Sequence, residues 1–168
     1  MKRLTLVRHA KSSWKDPSLD DFDRPLNQRG ERDAPVMGRR LRARGARPSM
    51  ILTSPAKRAL RTVRLIAEAI GYPVEFLQRE PELYLADAAT ILEVIAREAD
   101  GCQEILVCGH NPGMTDLANR LTASRIDNVP TCGIVAMEAD VDSWVDPGET
   151  EWTLDYFDYP KRLPDAGS

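Results

Sequence analysis

Three times in this chain a short apolar run stops at a polar turn: Leu4–Val7 at Arg8 and His9, Met50–Thr53 at Ser54 and Pro55, Glu104–Cys108 at Gly109 and His110. Runs of this length, rich in Leu, Ile and Val, read as buried strands, and the polar residues after them belong on the loops at the strands' C-terminal ends. The stretches between carry helical spacing. Ala34, Met37 and Leu41 mark a helix over Gln28–Arg44, with Asn27 as N-cap, Gly45 as terminator and Pro35 imposing a kink or a restarted first turn. Leu60, Val63, Ile66, Ala67 and Ile70 mark a second, with Ser54 capping and Pro55 in the first helical position. Residues 88–99 and the segment with Met114, Leu117, Ala118 and Leu121 give two more. Val74–Leu77, Ile134–Met137 and Trp152–Phe157 read as further strands. Strands alternating with helices predict an α/β domain whose mainly parallel sheet is covered on both faces.

A chain of 168 residues, 42% of them hydrophobic, is expected to form one domain over residues 1–160, with a flexible tail over 161–168. A formal net charge of −3 argues against phosphate-backbone binding, so no nucleic-acid partner is expected. No apolar window approaches a membrane span, and the start after Met1-Lys2-Arg3 is too short for a secretory core, which predicts a cytoplasmic protein without a membrane partner. Cys102, Cys108 and Cys132 lack C-x-x-C spacing and read as reduced thiols. The run Arg39-Arg40-Leu41-Arg42-Ala43-Arg44 alternates with core positions and reads as a solvated helix face.

The chain has two histidines, and both follow apolar strands. If those strands are parallel neighbours, the two imidazoles share one pocket at the sheet edge where α/β proteins keep their ligands. Arg8 precedes one of them, and Arg58 lies in the first turn of a helix, where free N–H groups and the dipole favour an anion. Two guanidiniums, two imidazoles and a helix N-terminus make a phosphate site that needs no metal or cofactor. Zinc wants three or four ligands, and no H-x-x-H or His/Cys cluster supplies them. Taken singly, a histidine after a strand is more often a capping or packing residue; here every histidine holds the same kind of position. A neutral imidazole is a competent nucleophile, and phosphoryl transfer mainly requires in-line positioning and charge stabilisation. In this reading His9 attacks, Arg8, Arg58 and a protonated His110 hold the equatorial oxygens, and water then releases inorganic phosphate.

Arg8-His9-Ala10 resembles the Arg-His-Gly signature of the histidine phosphatase superfamily, with Ala in place of Gly. Arg24-Pro25-Leu26-Asn27-Gln28-Arg29-Gly30, Ser54-Pro55-Ala56-Lys57-Arg58-Ala59 and Gly109-His110-Asn111-Pro112 follow in the family's order. The compact length and the run Arg8–Trp14 are similar to the SixA-like phosphohistidine phosphatases. The resemblance implies a three-layer α/β/α sandwich, His9 as phosphoacceptor, and Arg8, Arg58 and His110 as its phosphate pocket.

Two departures from the larger relatives bear on substrate. Lys15 stands where they carry an asparagine that contacts phosphate, and is a candidate binding residue as a point charge. Leu85 aligns where mutase and sugar-phosphate relatives place a glutamate acid, leaving Glu82 as a candidate proton donor, with Asp87 nearby. Alkoxides need a delivered proton, whereas imidazole, with a reference pKa of about 6.5, leaves readily once protonated. A phosphohistidine-containing protein is therefore the expected partner. The rivals are a small phosphorylated metabolite as substrate, or a non-catalytic phosphate-binding module. No insertion builds a lid, and the Ser12–Arg24 loop with Trp14 and Phe22 either forms the rim for a partner or packs back onto the domain.

Overall fold

A computed structural model describes residues 1–162. The strands are β1 (Lys2–Arg8), β2 (Met50–Thr53), β3 (Gln78–Arg79), β4 (Glu104–Gly109), β5 (Ile134–Ala139) and β6 (Thr153–Asp158). The helices are α1 (Gln28–Ala43), α2 (Lys57–Ile70), α3 (Ala88–Glu98) and α4 (Gly113–Thr122). The strands form one sheet in the order β3-β2-β4-β1-β5-β6. Pairings β1·β4, β2·β4 and β2·β3 are parallel, and β1·β5 and β5·β6 antiparallel, so the sheet is mainly parallel.

Strand periodicity divides the core in two. On β4, Ile105 and Val107 face the helices α3 and α4, packing with Ile91, Ile95, Met114 and Leu117. Leu106 and Cys108 face α1 and α2, packing with Met37, Leu41, Val63 and Ile66. This is the three-layer sandwich the resemblance implied, and the residues of all three strands that end in the pocket are buried on both faces, as parallel strands require. The register Arg8↔Gly109 between β1 and β4 places His9 and His110 one step beyond paired residues.

Three local expectations change. Val74–Leu77 is not a strand: Val74–Phe76 forms a 3₁₀ turn after Pro73, whose fixed φ of −62° starts the turn, and the strand is the two residues that follow. Val74 and Leu77, three apart, both pack against the α1/α2 side, a spacing that suits one side of a tight turn. Helix α2 begins at Lys57 with Ala56 as N-cap, so Ser54 and Pro55 lie ahead of it, outside the helix. Pro35 lies eight residues into an unbroken α1, with no restart in the first turn. Asn27 does cap α1, its Oδ1 accepting from Gly30 N–H at 2.8 Å. The arginine-rich stretch buries Leu41 alone; Arg40 pairs with Asp158 at 3.1 Å and Arg44 stacks on Tyr156. The tail expected over 161–168 lies outside the described residues from position 163 onward.

Candidate functional site

The ends of β1 and β4 bring the two imidazoles together, with ring centroids 5.2 Å apart. His9 is 8% exposed and His110 3%. The first turn of α2 adds Arg58, 3% exposed, which reaches both rings: Nε donates to His9 Nε2 at 3.4 Å, and Nη2 faces His110 Nδ1 at 3.3 Å. Arg8 enters from β1. Its Nη1 donates to the Val129 carbonyl at 3.0 Å, while its Nε is buried with no acceptor among the described residues. A buried guanidinium donor left unpaired is costly, and an oxyanion acceptor would satisfy it.

The backbone makes the His9 ring rigid. Its Nδ1 lies 2.8 Å from the Ala10 carbonyl, which only accepts, so the proton sits on Nδ1 and the Nε2 lone pair faces Arg58. The Ala10 peptide is held in turn: its N–H donates to Thr62 Oγ1 at 2.9 Å, and that hydroxyl donates to the Arg58 carbonyl at 2.7 Å. Burial, with help from Arg58, Arg8 and Arg24 against the opposing Ala10 hydrogen bond, lowers His9 to a pKa of about 4. Burial, then His9 and Arg58, lowers His110 to about 3. Both rings are neutral at neutral pH. Desolvation and the Arg58 charge also lower Arg8.

The pocket's carboxylate had no strong sequence signal. Asp21, in a 3₁₀ turn (Asp21–Asp23), accepts from Arg58 Nη2 at 2.9 Å through Oδ2, while its carbonyl accepts from Arg58 Nη1 at 2.6 Å. It also accepts from the Tyr84 hydroxyl and from Arg24 Nη1 at 3.0 Å. Desolvation works to raise its pKa, but the bonds from Tyr84, Arg58 and Arg24 outweigh that and hold it at about 2. Three other residues were missed: Ser54, whose Oγ is 2.7 Å from His110 Nε2; Tyr84, edge-on to His110 at 5.4 Å; and Thr62. Asp21 is one of several acids in an aperiodic loop, and only the fold shows which one turns inward.

The remaining candidates lie apart from the histidines. Lys15 is exposed and borders a surface hollow formed by Lys11–Lys15 and Pro25–Arg29. Glu82 is half-exposed, with its carboxylate 2.8 Å from Arg97 Nη1 on α3. Asp87 caps α3, accepting from Thr90 N–H at 2.9 Å. Leu85 is 55% exposed at a left-handed φ of 52°. Trp14 is 75% exposed, with the Arg24 guanidinium 3.3 Å above its ring, and Phe22 meets Tyr84 edge-on at 5.1 Å. Among the described residues no helix is long and apolar enough to cross a membrane, and no group of three or more His, Cys, Asp or Glu is arranged to hold a metal ion.

Comparison with known proteins identifies the family. The model of the histidine phosphatase superfamily, branch 1, matches residues 4–101. An uncharacterized chloroplastic protein of Arabidopsis thaliana is 33% identical over 151 residues, 85% of this chain and 69% of that protein. A phosphoglycerate mutase of Schizosaccharomyces pombe is 30% identical over 109 residues, 62% of this chain and 52% of the mutase. Among solved structures, a chain assigned as the phosphohistidine phosphatase SixA of Agrobacterium tumefaciens superposes with a TM-score of 0.80 at 30% identity, covering 95% of this chain and 98% of that one. The protein histidine phosphatase SixA complexed with tungstate shares the fold at a TM-score of 0.79 and 20% identity, over 94% of this chain and 97% of that one. By the family model, which spans more than half of the chain, and by the fold, this chain belongs to the histidine phosphatase superfamily, branch 1.

Proposed function

We propose that this protein is a phosphatase that works through a covalent phosphohistidine on His9, and that its substrate is phosphohistidine on another protein. The observation that carries the reading is the meeting of His9 Nε2, His110, Arg8 and Arg58 around one pocket, with the Nε2 lone pair unprotonated. His9 Nε2 attacks phosphorus, the bond from phosphorus to the leaving nitrogen breaks, and the leaving imidazole departs neutral, having been protonated before bond cleavage. Water then attacks phosphorus, the bond to His9 breaks, and inorganic phosphate leaves. Arg8, Arg58 and a protonated His110 stabilise the equatorial oxygens in both steps. All of these charges come from side chains, so the proposal uses no metal.

An imidazole leaving group fits a site with no free carboxylic acid. Glu82 is occupied by Arg97, and Asp21 is held ionised by its three donors. For an alkyl ester Asp21 is better placed than Glu82: a bound dianion beside it pushes its pKa up and makes it a proton source. That keeps a small phosphorylated metabolite as the second reading, which the mutase relative also favours. Three free cysteines fit the cytoplasmic setting that belongs to this proposal. Radiolabelled phosphate should be trapped as an acid-labile adduct on the wild type and not on His9→Ala. Phosphate release from a histidine-phosphorylated carrier protein should exceed release from a panel of sugar and nucleotide phosphates; the reverse order would favour the metabolite, and no adduct at all would leave a binding module.

A further inference from the structure

We infer that Ser54 is a positioning residue whose Oγ accepts the Nε2–H of His110 and so presents the bare Nδ1 of that ring to Arg58 and to an incoming oxyanion. The inference rests on the proposed role of His110 beside the phosphoryl group.

Ser54 has no other full-time task. It is fully buried, yet α2 starts three residues later without a side-chain cap, and among the described residues the only backbone group it serves is Ala56 N–H at 3.2 Å. Its shorter contact is the 2.7 Å one to His110 Nε2. The direction of that bond follows from the other side of the ring. Nδ1 lies 3.3 Å from Arg58 Nη2, and a guanidinium nitrogen can only donate. Nδ1 therefore carries the lone pair, Nε2 carries the proton, and Ser54 is the acceptor. With the hydroxyl as donor instead, two N–H groups would face each other across 3.3 Å.

The consequence is an asymmetric pair of rings. His9 donates from Nδ1 to the Ala10 carbonyl and offers Nε2; His110 donates from Nε2 to Ser54 and offers Nδ1. When an oxyanion arrives, a lone pair facing it is repulsive, and a proton taken up at Nδ1 turns His110 into a doubly donating imidazolium. Ser54 already receives the opposite N–H, so neither a ring flip nor a new partner is needed. The groups that face this ring are Arg58 from α2, Arg8 from the end of β1 and His9 just after it, Asp21 from its 3₁₀ turn, Tyr84 and Ser54. Burial, together with its cationic neighbours, keeps it neutral until the anion's charge offsets theirs.

With only two histidines, ¹⁵N spectra of the imidazoles are simple to assign, using His9→Gln to identify each ring. In the empty wild-type protein, His110 should show a protonated Nε2 and a bare Nδ1, the opposite of His9. Ser54→Ala should mix the His110 tautomers, lower kcat for an aryl phosphate about 10- to 100-fold with KM little changed, and shift the acidic limb of tungstate binding. Ser54→Thr, which keeps the hydroxyl, should restore tautomer and rate. A wild-type His110 protonated on Nδ1 would overturn the inference, as would a Ser54→Ala protein with the wild-type tautomer and kcat. The tautomer is read without turnover, so it stands or falls separately from the phosphoenzyme experiment.

Discussion

Mild acid should destabilise this protein in a window set by its two imidazoles. In the folded chain, burial, against the Ala10 hydrogen bond and helped by Arg58, Arg8 and Arg24, leaves His9 at about 4, and burial, His9 and Arg58 leave His110 at about 3. Unfolded, both return to about 6.5. Both folded values lie below the unfolded one, so the unfolded chain binds more protons across the interval. Stability is complete above about pH 6.5 and is lost as pH falls toward the folded values. At pH 5 each ring is still neutral in the folded state and almost fully charged in the unfolded one. The loss between pH 7 and pH 5 is then about 2 kcal/mol per ring and about 4 kcal/mol for the pair. It depends little on the depth of the folded values, because both lie below the pH reached.

For a chain of this size that loss lowers Tm by about 8 to 16 °C. Thermal melts at pH 7, 6 and 5, at constant ionic strength, measure it. Asp21, held at about 2, stays ionised throughout and contributes little. His110→Asn should remove roughly half of the dependence, since one titrating ring remains. A Tm that is flat from pH 7 to pH 5, or a His110→Asn protein with the wild-type slope, would refute the claim that both rings are buried neutral.

Arg58→Ala should cost about 10²- to 10³-fold in kcat on an aryl phosphate, and Arg58→Lys should recover little, because a point charge cannot reach both rings and the phosphoryl oxygens; full recovery by lysine would contradict this. Asp21→Asn removes an anion that competes for Arg58, and since that carboxylate is 42% exposed the gain in tungstate affinity should be modest, up to about fivefold by equilibrium titration; weaker binding would show that Asp21 assists the anion. Gly30→Ala should destabilise by about 1 to 3 kcal/mol in chemical denaturation, because a Cβ there would sit 2.2 Å from the Lys11 carbonyl and the helix-propensity gain of about 1 kcal/mol is smaller than that clash; an unchanged midpoint would mean the loop yields.

The sheet was legible because its strands are short apolar runs that end in the same kind of turn, and burial on two faces needs no more than that pattern. Arg8, His9, Arg58 and His110 were legible for the same reason, since each lies within a few residues of a strand end. Val74–Leu77 misled because four residues with Val and Leu at the ends suit a strand or a tight turn equally well, and Pro73 decides for the turn. Ser54 misled in a more instructive way. A serine before a proline before a helix is a strong capping pattern, yet the hydroxyl spends its better hydrogen bond on a histidine that lies 56 residues away in sequence. Asp21, Tyr84 and Thr62 had no local pattern to betray them, because their partners come from other segments.

The two histidines ask opposite things of one electrostatic environment. In the proposed mechanism His9 stays neutral to attack, and His110 takes a proton once an oxyanion is present. Their neighbours are nearly the same cations, so charge alone cannot separate the roles. What differs is the atom each ring has already committed: His9 has given its Nδ1–H to a carbonyl and keeps Nε2 for phosphorus, whereas His110 has given Nε2–H to Ser54 and keeps Nδ1 for a proton. An acceptor that cannot donate fixes the first choice, and a donor that cannot accept fixes the second. The division of labour is therefore built from hydrogen-bond direction, and a substitution that preserves every charge in the pocket but reverses one of those directions should still abolish it.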